Sequence, residues 1–328
     1  MKDSGIKDGT FLHGLSDRMA HYVLASKSDS TSKSYFNGFR RWEKFIHAQG
    51  HDSIPAHPVH VALYVTHLLD SGATYSTVNL AVYSIKWAHS LNGLADPTEN
   101  AFVKHLQESA RRIACPQKKR KDPVSPDMLI KLCEMFKDCN DLLVIRDLCM
   151  ILICFSGFLR YDELSSLLCN DVQFLEGYIS LRIRKSKTDQ YRDGNTILIS
   201  KGSTLACPVA MLQRYIELSN ISLDSEQFLF KPVFRSGNVC KLIYKNKKLS
   251  YTGARESIIS KLKLVGGDLN LGLHSMRAGG ATAVANASDR VSDRCWKRHG
   301  RWKSETSKDG YVVDSVENRL EVTKHLGI

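Results

Sequence analysis

Residues 115–126 carry three prolines, the basic run Lys118-Lys119-Arg120-Lys121 and almost no large apolar side chain. Such a stretch cannot bury itself, and its prolines cannot continue a helix. It therefore predicts an extended basic linker over 115–125, dividing the 328 residues into two domains that are each long enough to bury a core. On its N-terminal side the apolar residues fall at helical spacing. Tyr35, Phe36, Phe39, Trp42, Phe45 and Ile46 make one stripe of an amphipathic helix over 30–47, with Ser30 or Thr31 as its cap and Arg40, Arg41 and Lys44 on its outer face. The same period over 59–69, 77–91 and 100–113 predicts an all-helical bundle for residues 10–114, with its aromatic side chains in the core.

In the second domain, residues 126–328, helical patterns over 126–136 and 142–155 give way to the alternation Tyr178-Ile179-Ser180-Leu181-Arg182-Ile183-Arg184. That is the period of a strand, and 196–199 should pair with it across a loop containing Asp193-Gly194. Helical patterns return over 208–218, 252–264 and 275–286. The expected fold class is mainly α: a helical bundle followed by a mixed α/β domain with a small antiparallel sheet. Gly279 and Gly280 follow no strand, so they read as sites of close helix packing and not as a phosphate-cradling loop.

The formal charge of +12 draws a protein of this size toward polyanions. Its basic residues are clustered: Arg40, Arg41 and Lys44; Arg111 and Arg112; 118–121; Arg182, Arg184, Lys185 and Lys187; Arg298, Arg301 and Lys303. Clusters favour a track for nucleic-acid phosphates over a solubility surplus. The run Lys118, Lys119, Arg120, Lys121 serves equally as a strap along a DNA backbone or as a nuclear-import signal. No apolar stretch is long enough to span a bilayer, since 148–158 is broken by Ser156 and Gly157 and runs into Arg160; no membrane partner is expected. A polar start over 1–10 predicts no signal peptide, and nine scattered cysteines predict reduced thiols in the cytosol or nucleus. His51, His57 and His60 lie close together without acidic or cysteine partners, so no metal site is expected.

The candidates for chemistry stand in a fixed order: Arg160 ahead of Asp162-Glu163, Lys187 after the strand, His274-Ser275-Met276-Arg277 at a helix start, His299-Gly300-Arg301-Trp302, and Tyr311 after Gly310. His274 and Arg277, three residues apart, share a helix face whose free N–H groups suit an anion. Singly, each piece is commonplace, and Arg160 with Glu163 could be a surface ion pair. Together and in this order they resemble the tyrosine recombinase, or phage integrase, family: an arginine before an acidic residue, a hairpin lysine, His-x-x-Arg, a Gly-containing His or Trp motif, and the tyrosine. The resemblance runs strongly over 123–328 and more weakly over the bundle, where 31–45 is similar to that family's core-binding, SAM-like domain. The wording of 298–304 and 308–311 is most similar to recombinases of eukaryotic mobile elements of the DIRS-like or Crypton-like kind.

The resemblance implies a clamp around double-stranded DNA and a site-specific recombinase. Tyr311 would attack the scissile phosphate, giving a 3′-phosphotyrosyl bond and a free 5′-hydroxyl. Arg160 and Arg277 would grip the non-bridging oxygens bidentately. His274 would hydrogen-bond the phosphate or take the tyrosine proton, and Lys187, with Lys185 as its rival, would protonate the departing 5′-oxygen. Trp302, standing where many members have histidine, would donate an indole hydrogen bond, and Glu163 would orient the site. Phosphate contacts are expected from Arg40, Arg41, Lys44, Lys118, Lys119, Arg120, Lys121, Arg182 and Arg184. No metal or other cofactor is implied. The apolar residues Val312, Val316, Leu320 and Leu326 suggest a tail helix, which in this family often docks in a neighbouring subunit and would build a tetramer on paired DNA sites. Such a protein would serve integration or excision of a mobile element, in the nucleus of a eukaryote or otherwise in the cytoplasm. The competing readings are a recombinase-derived DNA-binding protein that no longer cuts, and a type IB topoisomerase.

Overall fold

The computed structural model describes residues 5–113, 120–186, 194–237, 239–287 and 291–326, and the chain divides into two compact units, 1–119 and 120–328. The expected architecture forms: mainly helix, with small antiparallel sheets confined to the second unit. No helix among the described residues is long and apolar enough to cross a membrane.

The first unit is built from α1 (Phe11–Ala25), α2 (Asp29–His47), α3 (Pro58–Asp70), α4 (Tyr75–Leu91) and α5 (Ala101–Ile113). The first of these was not anticipated. It buries no apolar face: Phe11, Leu12, Met19 and Tyr22 are all exposed. Helix α2 begins at Asp29, one residue before the expected start, because Ser28, and not Ser30 or Thr31, accepts the Thr31 N–H as the cap (3.3 Å). Trp42, Ile46, Val61, Val65, Val78, Ile85 and Val103 form the core. The turn before α3 is pinned by Trp42 Nε1 donating to the Ser53 carbonyl (2.9 Å) and by the Ala56 N–H donating to His89 Nε2 (2.8 Å). His51 and His57 pack their rings against His60, and His57 caps α3. Arg40, Arg41 and Lys44 lie exposed on α2.

The second unit opens with residues 120–125 already bound into it. Val124 is buried, and its N–H donates to the Ser275 carbonyl (3.1 Å). There follow α6 (Pro126–Met135), α7 (Leu142–Ser156) and the short α8 (Tyr161–Ser165). Helix α7 is apolar nearly all round and buried nearly all round, as a helix at the centre of a core must be. Strands β1 (Val172–Leu175), β2 (Tyr178–Ile183) and β3 (Asn195–Ser200) make an antiparallel sheet in that order. Register pairs Ile179 with Ile199 and Leu181 with Ile197, so one face enters the core while Arg182 points out. Then come α9 (Pro208–Ser219), a second hairpin of β4 (Val233–Ser236) and β5 (Val239–Leu242), and α10 (Tyr251–Gly266). The chain ends with α11 (His274–Ala285), α12 (Asp293–Gly300), α13 (Glu305–Asp309) and α14 (Val316–Lys324). Strand β1 and the second hairpin were not anticipated, being too short to show a period.

One contact sets the position of everything that follows. Helix α11 lies so close to the end of α7 that a Cβ at Gly280 would overlap the Phe155 carbonyl and the Phe158 ring, and one at Gly279 would overlap the Val124 carbonyl. The two carbonyls are backbone and cannot swing away. Overpacking of this kind costs about 1–3 kcal/mol. Gly280→Ala is therefore expected to lower the thermal midpoint of the second unit by several degrees, at about 2–4 °C per kcal/mol for a domain of this size. A melt indistinguishable from wild type would show that the two helices have room to spare.

Candidate active site

Beyond Ser156 the chain turns through Gly157 and Phe158. Phe158 adopts the left-handed conformation (φ 46°), which costs a residue with a Cβ about 1–2 kcal/mol. The turn is held by the Leu159 N–H donating to the Cys154 carbonyl (3.0 Å). It turns the Phe158 carbonyl toward two guanidinium groups, accepting from Arg277 Nη1 and from Arg301 Nη2 (2.9 Å).

Arg160 stands at the start of α8, and Glu163 three residues later folds back on it. The buried carboxylate of Glu163 accepts the Arg160 backbone N–H (2.8 Å), Arg160 Nη1 (2.9 Å) and Arg301 Nη2 (2.9 Å). Burial would raise its carboxyl, but Arg301, the Arg160 N–H and the charges of Arg160 and Arg277 outweigh burial and hold it below the usual value. Glu163 is thus an ionised bridge between two arginines.

Arg277, one turn into α11, is fully buried. Its Nη2 donates to the Gly300 carbonyl (2.7 Å), and its guanidinium lies over the rings of Trp302 (5.0 Å) and Tyr311 (4.8 Å). Burial, then the repulsion of Arg160 and Arg301, pulls it down to about 10, against the opposing pull of Tyr311; it stays charged at neutral pH. Trp302 is 5% exposed and rests on Phe158 and Trp296, with its ring 6.0 Å from that of Tyr311. Gly300 must lack a side chain, because a Cβ there would overlap the Trp302 ring. Tyr311 follows α13, half-buried, with its carbonyl accepting from Thr282 on α11 (3.4 Å).

Arg160, Arg301, Trp302, Lys303 and Tyr311 line one cleft of about 310 Å³. The guanidinium groups of Arg160 and Arg301 line it, with the buried Arg277 behind them, against the single carboxylate of Glu163. The Nε atoms of Arg277 and Arg301 and the Trp302 indole N–H are buried without a hydrogen-bond partner. A buried donor left unpaired costs about 1–3 kcal/mol. A cleft with surplus positive charge in and behind its walls suits an anion, and a tyrosine beside a guanidinium supplies a nucleophile next to it.

The fold thus brings together Arg160, Glu163, Arg277, Trp302 and Tyr311. His274 opens α11 and is exposed, one turn before the buried Arg277, so a shared face has not given them shared burial. Lys187, Lys118 and Lys119 lie outside the described residues, and Lys185 is exposed beyond β2. Arg182 is exposed, whereas Arg184 is tied to Asp171 (2.6 Å) and Asn170 (2.9 Å), which occupies much of its fork. Arg120 is exposed, and the Lys121 ammonium donates to Asn270. His299 uses its Nε2 on the Ser156 carbonyl (2.7 Å), and burial lowers its basicity, so it acts as a neutral strut for the turn.

Sequence reasoning missed three features. In the sequence Phe158 shows only as the end of the apolar stretch 148–158. Arg301 was counted with a surface cluster, yet it is 8% exposed. The third had a visible signal: residues 231–248 contain six basic and no acidic residues, and Lys241, Lys245 and Lys247 are exposed. This segment borders α8, for the Tyr161 hydroxyl donates to the Leu249 carbonyl (2.6 Å) and Lys248 to Ser166 (2.8 Å).

No protein-family model matches the chain. An integrase/recombinase xerD homolog from Selenomonas ruminantium is 26% identical over 306 residues, spanning 90% of this chain and 86% of its own. Among solved structures, the Tn1549 transposon integrase in complex with transposon right end DNA superposes with a TM-score of 0.59 at 14% identity, covering 95% of this chain and 99% of that one. The XerH site-specific recombinase bound to difH substrate gives 0.56 at 14% identity over 90% and 79% of the two chains. A lambda integrase tetramer bound to a Holliday junction gives 0.51 at 17% identity over 94% and 79%. At such identities the solved structures speak for the fold, and the Selenomonas relative adds sequence similarity along nearly the whole length. In fold and in sequence the chain is similar to site-specific recombinases and integrases.

Proposed function

We propose that the protein is a site-specific DNA recombinase that cleaves and rejoins strands through a 3′-phosphotyrosyl intermediate at Tyr311. The observation that carries this reading is the placement of Tyr311 in one cleft with Arg160 and Arg301, its ring against the buried Arg277 guanidinium. A phosphodiester entering the cleft presents non-bridging oxygens to guanidinium donors that stay charged, and charge developing on those oxygens strengthens the contact. Tyr311 Oη attacks phosphorus, the 5′-oxygen leaves, and the two ends of the exchange are a phosphotyrosyl ester and a 5′-hydroxyl. Lys187 protonates the leaving oxygen, and His274 hydrogen-bonds the phosphate or takes the phenolic proton. Trp302 packs the tyrosine and offers its indole N–H. Because the phosphotyrosyl bond conserves the energy of the phosphodiester, resealing to the same or another 5′-hydroxyl needs neither ATP nor hydrolysis.

The relatives named above include complexes with DNA and a tetramer on a Holliday junction. By analogy, the helical unit serves as the core-binding domain and lays Arg40, Arg41 and Lys44 on the duplex. The second unit is the catalytic domain, and the protein assembles as a tetramer on paired sites. The tail supports that assembly: Val313, Val316, Leu320 and Leu326 are all exposed, an apolar edge that no described residue of its own unit covers. The similarity of 298–311 to DIRS-like or Crypton-like recombinases favours integration or excision of a mobile element as the biological role, and hence the nucleus of a eukaryotic host.

Two outcomes follow. Incubated with labelled DNA carrying candidate sites and trapped with SDS in the presence of EDTA, wild-type protein should yield a covalent adduct and Tyr311→Phe should bind without one. If wild type gives no adduct on a DNA it binds specifically, a DNA-binding protein that no longer cuts becomes the better account, and relaxation of supercoiled DNA without two-site exchange would point to a topoisomerase. Removal of residues 313–328 should leave binding to a single site intact and abolish the joining of two sites. Unchanged synapsis would remove the tail from the assembly.

A further inference from the structure

We propose that Arg301 is a positioning residue for strand cleavage, fixing Arg160 through the carboxylate they share on Glu163. This inference rests on the recombinase reading above.

Arg301 occupies a costly place. It caps α12 in the left-handed conformation (φ 55°, ψ 38°), which a residue with a Cβ rarely adopts. Its guanidinium is driven into the protein although basic side chains normally stay in water. There it donates to the carbonyls of His299 (2.7 Å), Phe158 (2.9 Å) and Gly157 (3.2 Å), and to Glu163 (2.9 Å). A strained backbone position maintained by four side-chain bonds points to a function at that site. Two of those acceptors are shared with the other two arginines of the site, Arg277 and Arg160. Phe158 also accepts from Arg277, and Glu163 also accepts from Arg160.

The consequence for Arg160 is geometric. Glu163 lies on the same short helix and could pair with Arg160 in several rotamers if it were held at one oxygen only. With Oε2 fixed by Arg301 and by the Arg160 backbone N–H, Oε1 has one place to be, and Arg160 Nη1 meets it there at 2.9 Å. The remaining edge of the Arg160 guanidinium is left to the cleft, where Arg301 and Arg160 are both lining residues. The charged and titratable groups facing Glu163 are Arg160 from α8, Arg277 from α11, Arg301 at the end of α12 and the Cys154 thiol from α7. Taking Arg301 away removes the largest of the charges that hold the carboxyl ionised, and its titration must then rise.

The test is a double-mutant cycle on adduct formation at saturating DNA, using the full chain: wild type, Arg301→Gly, Glu163→Gln and the pair together. Glycine accepts the left-handed backbone, so Arg301→Gly removes the guanidinium without adding strain. Wild type must first give the Tyr311 adduct; if it does not, the recombinase reading has failed, and not this one. Given that adduct, Arg301→Gly is expected to slow its formation by about 100-fold or more, the usual loss when one transition-state contact is misplaced. Affinity for DNA should change little. In the Glu163→Gln background the same substitution should cost no more than about threefold, because the two residues act as a unit. Equal losses in both backgrounds would overturn the proposal, as would an Arg301→Gly rate equal to wild type.

A second readout separates positioning from a general structural role. Arg301→Gly should acquire an acid limb, losing activity as pH falls through the raised titration of Glu163, and the added Glu163→Gln should erase that limb. A slow variant with the wild-type pH profile would mean that Arg301 only stabilises the fold. Should Arg301→Gly lack a cooperative melt, the pair of Glu163→Gln variants, with no buried carboxylate left half-paired, decides the matter. A further loss of tenfold or more on adding Arg301→Gly to Glu163→Gln would sink the idea.

Discussion

The Phe158 carbonyl is the acceptor on which the candidate site depends. It belongs to a turn of left-handed backbone at the end of a helix buried on every side, and it takes hydrogen bonds from two buried guanidinium groups that arrive from different parts of the chain. Burying one such charge without partners is prohibitive, and burying two side by side adds repulsion. The fold makes it tolerable by supplying backbone carbonyls of Gly157, Phe158, His299 and Gly300 and the single carboxylate of Glu163. The deficit of negative charge that remains is what equips the cleft for an anion.

Close packing makes this possible. Gly279 and Gly280 let α11 press on the end of α7 and on Val124, which brings Arg277 beneath the turn that follows α7. In the N-terminal half of α7, Asp147 is fully buried between Arg146 (2.7 Å) and Lys261 (2.7 Å), an ionic tie to α10. Helix α7 is therefore anchored in both halves, and its C-terminal turn presents acceptors at fixed points. Tyr311 gains its position second-hand: α13 is tied to α12 through Lys308, Glu305 and Asp293, and the tyrosine carbonyl is tied to α11 through Thr282.

Much of this was legible from the residues alone. The helices of the bundle follow from apolar spacing, and the β2–β3 pairing follows from alternation, with Arg182 on the outer face. Arg160, Glu163, Arg277, Trp302 and Tyr311 are far apart in the chain, and only their order, set against a family pattern, marked them as one group. Helix α1 escaped notice because its apolar residues serve no core in this chain, and a pattern without a burial partner has no consequence to predict. Strands β1, β4 and β5 are four residues each, shorter than any period can register.

Local structure and charge are written in the order of residues: which segments are helical, where the chain must break at its prolines, which segments are basic, and where small residues allow two helices to meet. Those follow from neighbours along the chain, within a turn or two of backbone. Which charges stay at the surface and which are buried emerges only from the folded arrangement. Arg298, Arg301 and Lys303 look alike in sequence, yet Arg301 alone of the three is drawn inside, by acceptors on a turn more than a hundred residues away. Burial of a charge is settled by the partners that meet it, and those partners are brought together only when the fold closes.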